Sequence, residues 1–340
     1  MEISAIGLGC WAFGGGAYWG AHSQRDAEAV VRLALSSGVS FFDTARMYND
    51  GASEVSLGEA LDGLRGKAVI CSKASPARAY KDTLRAECEQ TLRNLRSDYI
   101  DIYMLHWPIN PLGIRHFTND EAVLASPPTN EEAFRTLMDL KREGKIREIG
   151  VSNFGVTQLK EALAICPDIV VNELPYNIVS RAVEAEILPF CKRNGIGVIA
   201  SMALQQGVLT GRYKSAEEVP PPQAHSRHFK QERGGTFSRH YEDGAEEELF
   251  EAVRAVNEAA AEMGVTAAQL SVAWVLDNAG VASALAGSRK ESNLLEIIEA
   301  DKICLNPEIR AKIAAVSQKV LDKLGASPDY YENSKTGRIY

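Results

Sequence analysis

Short apolar runs alternate with amphipathic stretches along most of the chain. The run 68–73 is continuous, apolar and of strand length up to its final lysine, and 99–105 is interpreted as another buried strand. Phe41-Phe42 follows the turn-forming Ser37-Gly38. Apolar residues recur with helical spacing in the stretches between them. The pattern predicts strands at residues 3–8, 41–42, 68–73, 99–105, 147–151, 169–171, 197–200 and 282–286. It predicts helices at residues 24–37, 53–64, 80–96, 130–143, 156–165, 185–194, 245–263 and 267–277.

The order of these elements predicts a closed barrel. Strand and helix alternate with no sign of an antiparallel hairpin, which is typical of an α/β (β/α)8 TIM barrel with its site at the carboxyl ends of the strands. An open doubly wound sheet is the alternative, but Gly14 to Gly16 do not form a G-x-G-x-x-G motif that opens a helix. The predicted strands exit at Gly9, Asp43, Lys73, His106, Ser152, Glu173, Ser201 and Gly287.

The alternation also favours one barrel domain over residues 1–340, although the length alone would allow two domains. Two long intervals, 109–129 and 212–244, follow strand exits and are predicted to be loop insertions over the active face. The second insertion carries several basic residues, so it is interpreted either as a lid over cofactor phosphates or as a solvated surface loop. The C-terminal tail, residues 327–340, is expected near the rim of the substrate pocket.

Composition and charge narrow the possible partners. A net charge of -8, from 37 basic and 45 acidic side chains, argues against a general nucleic-acid binder. No apolar run approaches the roughly 18 residues that span a bilayer, so no membrane partner is expected. The six cysteines are scattered without a C-x-x-C pair, which favours reduced thiols and a cytoplasmic location.

Four residues that can exchange or orient protons lie at or just after consecutive strand exits: Asp43, Tyr48, Lys73 and His106. A tyrosine donates a proton near neutral pH only if a neighbour favours its phenolate, and a nearby lysine does this. Asp43 would hold Lys73 in place, and a neutral His106 would orient a substrate oxygen. Each residue alone has an ordinary structural interpretation, but together they fit the protonation of an alkoxide that forms as hydride reaches a carbonyl carbon.

The chain resembles the aldo-keto reductases at several motifs. The matching stretches are residues 7–11, 42–48, 71–73, 98–108, 144–154, 175–177, 206–213 and 287–289. The resemblance implies an eight-stranded barrel that reduces carbonyl compounds with a nicotinamide cofactor, usually NADPH. It also implies that Asp43, Tyr48, Lys73 and His106 form the catalytic set, with Tyr48 as the acid. The similarity is greatest to the bacterial branch with long loop insertions.

The same resemblance implies a set of cofactor-binding residues. Ser152 and Asn153 match the pair that binds the nicotinamide carboxamide, although they could instead cap the following helix. Gly207 and Arg212 match the pyrophosphate loop, and Arg289 matches a contact to the adenosine 2'-phosphate. The complete implied set is Cys10, Trp11, Asp43, Ser152, Asn153, Glu173, Ser201, Met202, Ala203, Leu204, Gln206, Gly207, Arg212, Gly287, Ser288, Arg289 and Asn293.

Three departures from the family pattern involve four positions. Glu173 stands where many relatives have a glutamine that binds the carboxamide, and Ser201 stands where a tyrosine often stacks on the nicotinamide. Asn293 and Ile297 replace the usual glutamine and asparagine of the last adenosine-binding helix. These departures leave NADP(H) as the preferred cofactor, with NAD(H) as an alternative.

The leading hypothesis is therefore an NAD(P)H-dependent oxidoreductase acting on an aldehyde, ketone or open-chain sugar. The alternative is a cofactor-binding sensor or regulatory subunit on the same fold. A metal-dependent hydrolase using Glu173, His225, His228 and His240 is disfavoured because these residues lack ligand-like spacing, and no metal is predicted. The expected partner is a small carbonyl or sugar molecule, and the oligomeric state is left open.

Overall fold

Eight parallel strands close into a barrel in the order in which they occur along the chain, with the first strand paired to both the second and the last. The structure is a computed structural model that describes residues 2–340. The strands are β1 Ile6–Gly9, β2 Phe41–Asp43, β3 Val69–Ala74, β4 Ile100–Leu105, β5 Ile146–Ser152, β6 Ile169–Pro175, β7 Gly197–Ser201 and β8 Val281–Gly287. The predicted (β/α)8 barrel is confirmed.

The strands form because their residues can be buried on both faces, as parallel barrels require. Every residue of β4 is buried, for example. Side chains that point inward fill the barrel below its carboxyl end, and this inner cluster comprises Phe41, Cys71, Ile102, Met104, Val171, Ile199 and Leu285. The barrel is therefore solid beneath the site, which leaves the carboxyl-end bowl as the place where groups meet.

The first strand is shorter than predicted. It begins at Ile6 because the hydroxyl of Ser4 accepts hydrogen bonds from the backbone N–H groups of Ser40 and Phe41, at 3.1 Å each. The Ser4 side chain thus replaces the backbone hydrogen bonds that a longer first strand would make to β2 at this end of the barrel.

Helices connect the strands on the outside. They are α1 Gln24–Ser36, α2 Ala52–Ala60, α3 Lys81–Asn94, α4 Pro111–Phe117, α5 Glu121–Ala125, α6 Asn130–Arg142, α7 Val156–Ile165, α8 Ile187–Arg193, α9 Gln231–Gly234, α10 Glu246–Met263, α11 Ala267–Leu276, α12 Glu291–Ile297 and α13 Pro307–Leu324. Among residues 2–340, no single helix meets the length and hydropathy of a membrane span; α10 and α11 do so only together, across a 96° bend.

Two parts of the helical assignment differ from the prediction. The interval 109–129 was expected to be irregular, but it contains α4, which begins because Asn110 caps the N–H of Gly113 at 2.7 Å and Pro111 occupies the first turn. The sequence pattern did not predict α13, although Asn306 and Pro307 provide the same start signal. Both helices therefore have local signals that hydrophobic spacing alone did not reveal.

The insertion 212–244 is held together by its own basic residues. Arg227 is buried and donates to Glu242 at 2.7 Å and to the carbonyl of Leu324 at 2.7 Å. Arg233 forms an ion pair with Glu246 at 2.8 Å. These two guanidinium groups stabilise the loop itself, so they do not face a cofactor phosphate as the lid interpretation would have them do.

The tail crosses the active face and is anchored by a buried ion pair. Arg338 donates to Asp329 at 2.8 Å, and the two side chains are only 1% and 0% exposed. The guanidinium also lies 3.7 Å from the ring centroid of Trp107, the residue after His106. The carbonyl of Arg338 accepts hydrogen bonds from Asn110 at 3.1 Å and Gln158 at 2.7 Å. The tail is thus fixed to the segments that follow β4 and β5.

Candidate active site

A buried lysine–aspartate pair forms the floor of the bowl. Asp43 ends β2 and Lys73 lies in β3, so neighbouring parallel strands bring both side chains to the same end of the barrel. The Lys73 ammonium donates to the Asp43 carboxylate and to the carbonyl of Thr44 at 3.1 Å. The ammonium is completely buried, so its charge acts in a medium that screens it weakly.

Tyr48 and His106 lie directly above this pair. The ammonium of Lys73 is 5.2 Å from the centroid of the Tyr48 ring, and the Tyr48 and His106 rings are 5.5 Å apart in an edge-to-face arrangement. The turn that carries Tyr48 is held by Asn49, whose amide donates to the carbonyls of Trp11 at 2.9 Å and Phe13 at 2.7 Å. The structure therefore brings together all four residues that the sequence places in the catalytic set.

The electrostatics of the site keep Lys73 charged and leave Tyr48 and His106 neutral. Burial by itself lowers the pKa of Lys73, but Asp43 and Glu173 raise it well above its ordinary value, so the ammonium stays charged. Burial raises the pKa of Tyr48, Lys73 opposes this rise, and Asp43 and Glu173 add smaller increases. Burial and the nearby Lys73 charge lower the pKa of His106 well below its usual range, so the imidazole is neutral.

Glu173 adds a second carboxyl group to this cluster. Its Oε2 atom lies 3.2 Å from the Lys73 ammonium, and its side chain is 5% exposed. Within residues 2–340 this oxygen makes no well-formed hydrogen bond despite the short distance. Burial and the neighbouring Asp43 raise the pKa of Glu173 to about 8. The raised pKa favours the protonated carboxyl group, which has a donor as well as an acceptor, like the glutamine that the family resemblance implies at this position in many relatives.

Ser152 and Asn153 lie at the end of β5, where the predicted nicotinamide pair should be. The Asn153 backbone is left-handed, with φ of 63°, and its amide donates to the Ser152 hydroxyl at 2.9 Å and to the carbonyl of His106 at 3.1 Å. Neither residue caps α7, because Gln158 accepts from the N–H of Gly155 at that position. Their side chains are thus available to the bowl, and Asn153 is tied to the backbone of His106.

The loop after β7 has the backbone of an anion site. Met202, Gln205, Gln206 and Gly207 all have positive φ values, of 57°, 48°, 53° and 92°, and such successive conformations direct N–H groups into one concave surface. The Gln206 amide nitrogen is buried without a hydrogen bond among the described residues. These groups fit the phosphates of a dinucleotide, and the carboxyl and amide donors across the bowl fit a nicotinamide carboxamide.

The sequence profile described as Aldo/keto reductase family matches residues 5–318. The chain belongs to the aldo/keto reductase family. It is 31% identical to Aldo-keto reductase YhdN of Bacillus subtilis over 335 residues, covering 94% of this chain and 92% of the relative. It is 34% identical to an NADH-specific methylglyoxal reductase of Escherichia coli over 233 residues, covering 62% and 67%.

Solved aldo/keto reductases share the fold. An aldo/keto reductase from Klebsiella pneumoniae in complex with NADP and acetate superposes with a TM-score of 0.71 at 28% identity, covering 93% of this chain and 92% of the other. Family membership confirms the predicted oxidoreductase that reduces carbonyl groups with a nicotinamide cofactor. It does not favour the sensor alternative.

The remaining predicted cofactor residues of this aldo/keto reductase occupy different environments. Arg289 donates to the carbonyls of Trp19 at 2.7 Å and Ala21 at 3.1 Å, so part of its guanidinium holds the β1–α1 loop. Arg212 is exposed and lies 4.6 Å from the Tyr213 ring centroid. The others lie in or beside the strand ends: Ala203 and Ser288 are buried, Ser201, Met202 and Leu204 are half-buried, and Gly287 and Asn293 are exposed.

Cys10 is the predicted cofactor residue with the least access to the bowl. Its thiol is buried and donates to the carbonyl of Leu8 at 3.5 Å, and its backbone N–H donates to the backbone carbonyl of Asp43 at 2.7 Å. The Cys10 side chain is therefore used within the barrel wall, and only its backbone contacts Asp43.

Aromatic side chains that the sequence did not assign form a cluster beside Tyr48 in this aldo/keto reductase. The predicted residue Trp11 stacks between Tyr18, at 4.9 Å, and Tyr48, at 5.6 Å. His225 of the second insertion stacks on Tyr331 of the tail at 5.0 Å. The concentration of aromatic residues in the glycine-rich first loop was the available signal, but the partners come from distant parts of the chain.

Proposed function

We propose that this aldo/keto reductase reduces small aldehydes and ketones with NADPH as preferred cofactor and NADH as an alternative, and that Tyr48 donates the proton. The observation that carries this proposal is the buried Lys73–Asp43 pair directly beneath Tyr48 and His106. A site for carbonyl reduction needs a proton donor with a fixed positive charge beside it and a neutral group that orients the oxygen, and these residues provide all three.

In this mechanism the substrate oxygen accepts hydrogen bonds from the Tyr48 hydroxyl and the neutral His106 imidazole. The bound nicotinamide supplies the hydride to the carbonyl carbon. As negative charge develops on the oxygen, Tyr48 transfers its proton, and Lys73 stabilises the phenolate that remains. Asp43 keeps the ammonium in position and balances its charge when the phenol is neutral. The reverse direction uses the same groups, with the phenolate as base.

The cofactor residues are assigned by their chemistry. Ser152, Asn153 and Glu173 would hold the nicotinamide carboxamide, because they present hydroxyl, amide and carboxyl groups on one side of the bowl. Gln206, Gly207 and Arg212 would hold the phosphates in the concave loop after β7. Trp11, Ser201 to Leu204, Gly287, Ser288 and Asn293 would line the remaining contact surface. The backbone of Cys10 completes the set beside Asp43.

The aromatic cluster favours compact substrates. Its rings stack on one another and on Tyr48, and the Tyr18 hydroxyl already bonds to Gln206, so few groups remain to bind a polyol chain. Two relatives are named methylglyoxal reductases, one of them NADH-specific, which supports a small dicarbonyl substrate. We therefore favour methylglyoxal-like and aromatic aldehydes over open-chain sugars.

This proposal is tested by assaying the purified protein with methylglyoxal, an aromatic aldehyde and an aldose, each with NADPH and with NADH. We expect steady cofactor oxidation with the first two compounds, slower turnover with the aldose, and a lower KM for NADPH than for NADH. Cofactor binding without turnover of any carbonyl would contradict the proposal and support a sensor.

Replacement of Arg289 by alanine tests the preference for NADPH. We expect the Kd for NADPH to rise about tenfold and that for NADH by less than about threefold, because only NADPH has an adenosine 2'-phosphate for the guanidinium to bind. Fluorescence titration measures both constants. Lys290→Ala, at an adjacent exposed cation, is the control. Equal weakening of both cofactors would mean that Arg289 acts only by holding the loop at Trp19 and Ala21.

We also propose the cellular location and the domain organisation of the protein. Cys10, Cys71, Cys88, Cys166 and Cys191 are buried free thiols and Cys304 is an exposed one, which suits a reducing cytoplasm. We also propose a single barrel domain over residues 1–340, with the insertions 109–129 and 212–244 and the tail 327–340 shaping the pocket. The proposed partners are the small-molecule substrate and the nucleotide cofactor.

A further inference from the structure

Lys73 has two carboxyl neighbours where the catalytic chemistry requires one. Its ammonium donates to Asp43 and lies 3.2 Å from Glu173 Oε2, and all three side chains are almost completely buried. If both carboxyl groups were ionised, this cluster would carry a net negative charge in a weakly screening environment, which is costly. One bound proton on Glu173 makes the cluster neutral.

The surroundings of Glu173 place that proton on Glu173. From β2 and β3 it faces Asp43, Lys73 and Cys71. A carboxylate oxygen of Asp43, the Cys71 sulfur and a carboxylate oxygen of Glu173 all lie within 4.8 Å of one another. The Tyr48 ring lies 5.2 Å from the same ammonium, and the neighbours of Glu173 along β5 and β7, Ser152 and Ile199, are uncharged. Lys73 is therefore the only cation in this group, and its shortest contact is to Asp43.

A cation other than Lys73 is a poor occupant of the same place. The ammonium already lies against both carboxyl groups, and burial raises the pKa of the Cys71 thiol well above its ordinary value, so the thiol is protonated. A proton on Glu173 balances the charge without displacing Lys73.

We propose that Glu173, in its protonated form, is a positioning residue of the proton-delivery site: it completes the cradle of Lys73 without adding a second negative charge, and its ionisation above neutral pH weakens proton donation by Tyr48. This inference rests on the proposed function of Tyr48.

The consequence for catalysis follows from charge. When Glu173 is protonated, the charge of Lys73 is balanced by Asp43 alone and is available to stabilise the Tyr48 phenolate in the transition state. When Glu173 ionises, its new negative charge lies next to the same ammonium and opposes phenolate formation. Burial and Asp43 raise the pKa of Glu173 to about 8, so this change falls within the range of an ordinary rate profile.

The first test uses the protein without cofactor or substrate. Because the folded-state pKa of Glu173 is raised above its unfolded value, its contribution to stability is complete below the unfolded value and is lost as the pH rises through about 8. We therefore expect the Tm of the wild type to fall relative to that of Glu173→Gln between about pH 5 and about pH 9. A Tm difference that is independent of pH would overturn the proposal.

The second test is the pH profile of single-turnover reduction. For the wild type we expect the rate to fall about fivefold between about pH 8 and about pH 9, whereas Glu173→Gln should change less than about twofold. Glu54→Gln is the matched control, since Glu54 is also buried with a raised pKa but bonds to Ser72 and Asn94 on the other side of β3. An unchanged alkaline limb in Glu173→Gln would contradict the proposal.

A direct measurement covers the case in which Glu173→Gln fails to fold. Infrared spectra of the Glu54→Gln protein should contain the band of a buried carboxylic acid that titrates near pH 8. Its absence would overturn the proposal whatever the activity of Tyr48. Conversely, a titrating acid in a protein that reduces no carbonyl would contradict the proposed function and leave the protonated state of Glu173 established.

Discussion

Replacement of Tyr48 by phenylalanine is expected to lower kcat for carbonyl reduction by about a thousandfold or more. The change removes one hydroxyl from a ring that lies beside the Lys73 ammonium and the His106 imidazole. Positioned acids contribute about a hundredfold to ten-thousandfold, and here the remaining groups cannot replace the donor, because Lys73 is held by Asp43 and His106 is neutral. Pre-steady-state reduction with NADPH and methylglyoxal measures the loss.

Cofactor binding separates a chemical effect from a structural one. The Kd for NADPH of Tyr48→Phe should stay within about twofold of the wild type, because the ring and its stacking with Trp11 are preserved. Tyr241→Phe, at a residue that is 80% exposed, is the matched control and should keep full activity. A fully active Tyr48→Phe protein would rule out Tyr48 as the acid.

Replacement of Arg338 by methionine is expected to destabilise the protein by about 3 to 5 kcal/mol. Breaking a buried ion pair leaves an uncompensated charge, and here Asp329 would remain 0% exposed with no cation beside it. The ion pair also holds the pKa of Asp329 below its usual range, so stability is present above the unfolded pKa of this carboxyl group and is lost as the pH falls through the folded one. Urea unfolding at neutral pH measures the difference.

A surface pair provides the control for Arg338. Lys302 and Glu299 also form an ion pair, but their side chains are 69% and 55% exposed, so Lys302→Met should cost less than about 1 kcal/mol. Because the tail carries Tyr331, which stacks on His225 beside the pocket, Arg338→Met should also raise KM for the aldehyde more than the Kd for NADPH. Equal stability losses in the two variants would contradict a structural role for the buried pair.

The amino-acid sequence by itself determined the barrel and the four residues that we propose as catalytic. Strand and helix periodicity places Asp43, Lys73 and His106 at consecutive strand ends, and parallel pairing then directs them to one face without further information. Local signals were sufficient for most helices. The helix at 307–324 was not predicted because the prediction relied on apolar spacing. Its clear start signal lies instead in the capping residues Asn306 and Pro307.

The tertiary structure alone decided how the loops and the tail complete the site. The contact of Tyr18 with Gln206, at 2.5 Å, spans 188 residues of sequence, and that of Arg289 with Trp19 spans 270. The approach of Glu173 to Lys73 likewise depends on the diameter of the closed barrel. Periodicity is a property of neighbouring residues, so it predicts which way a side chain points. Distances across the bowl depend instead on packing between segments that are far apart in the chain.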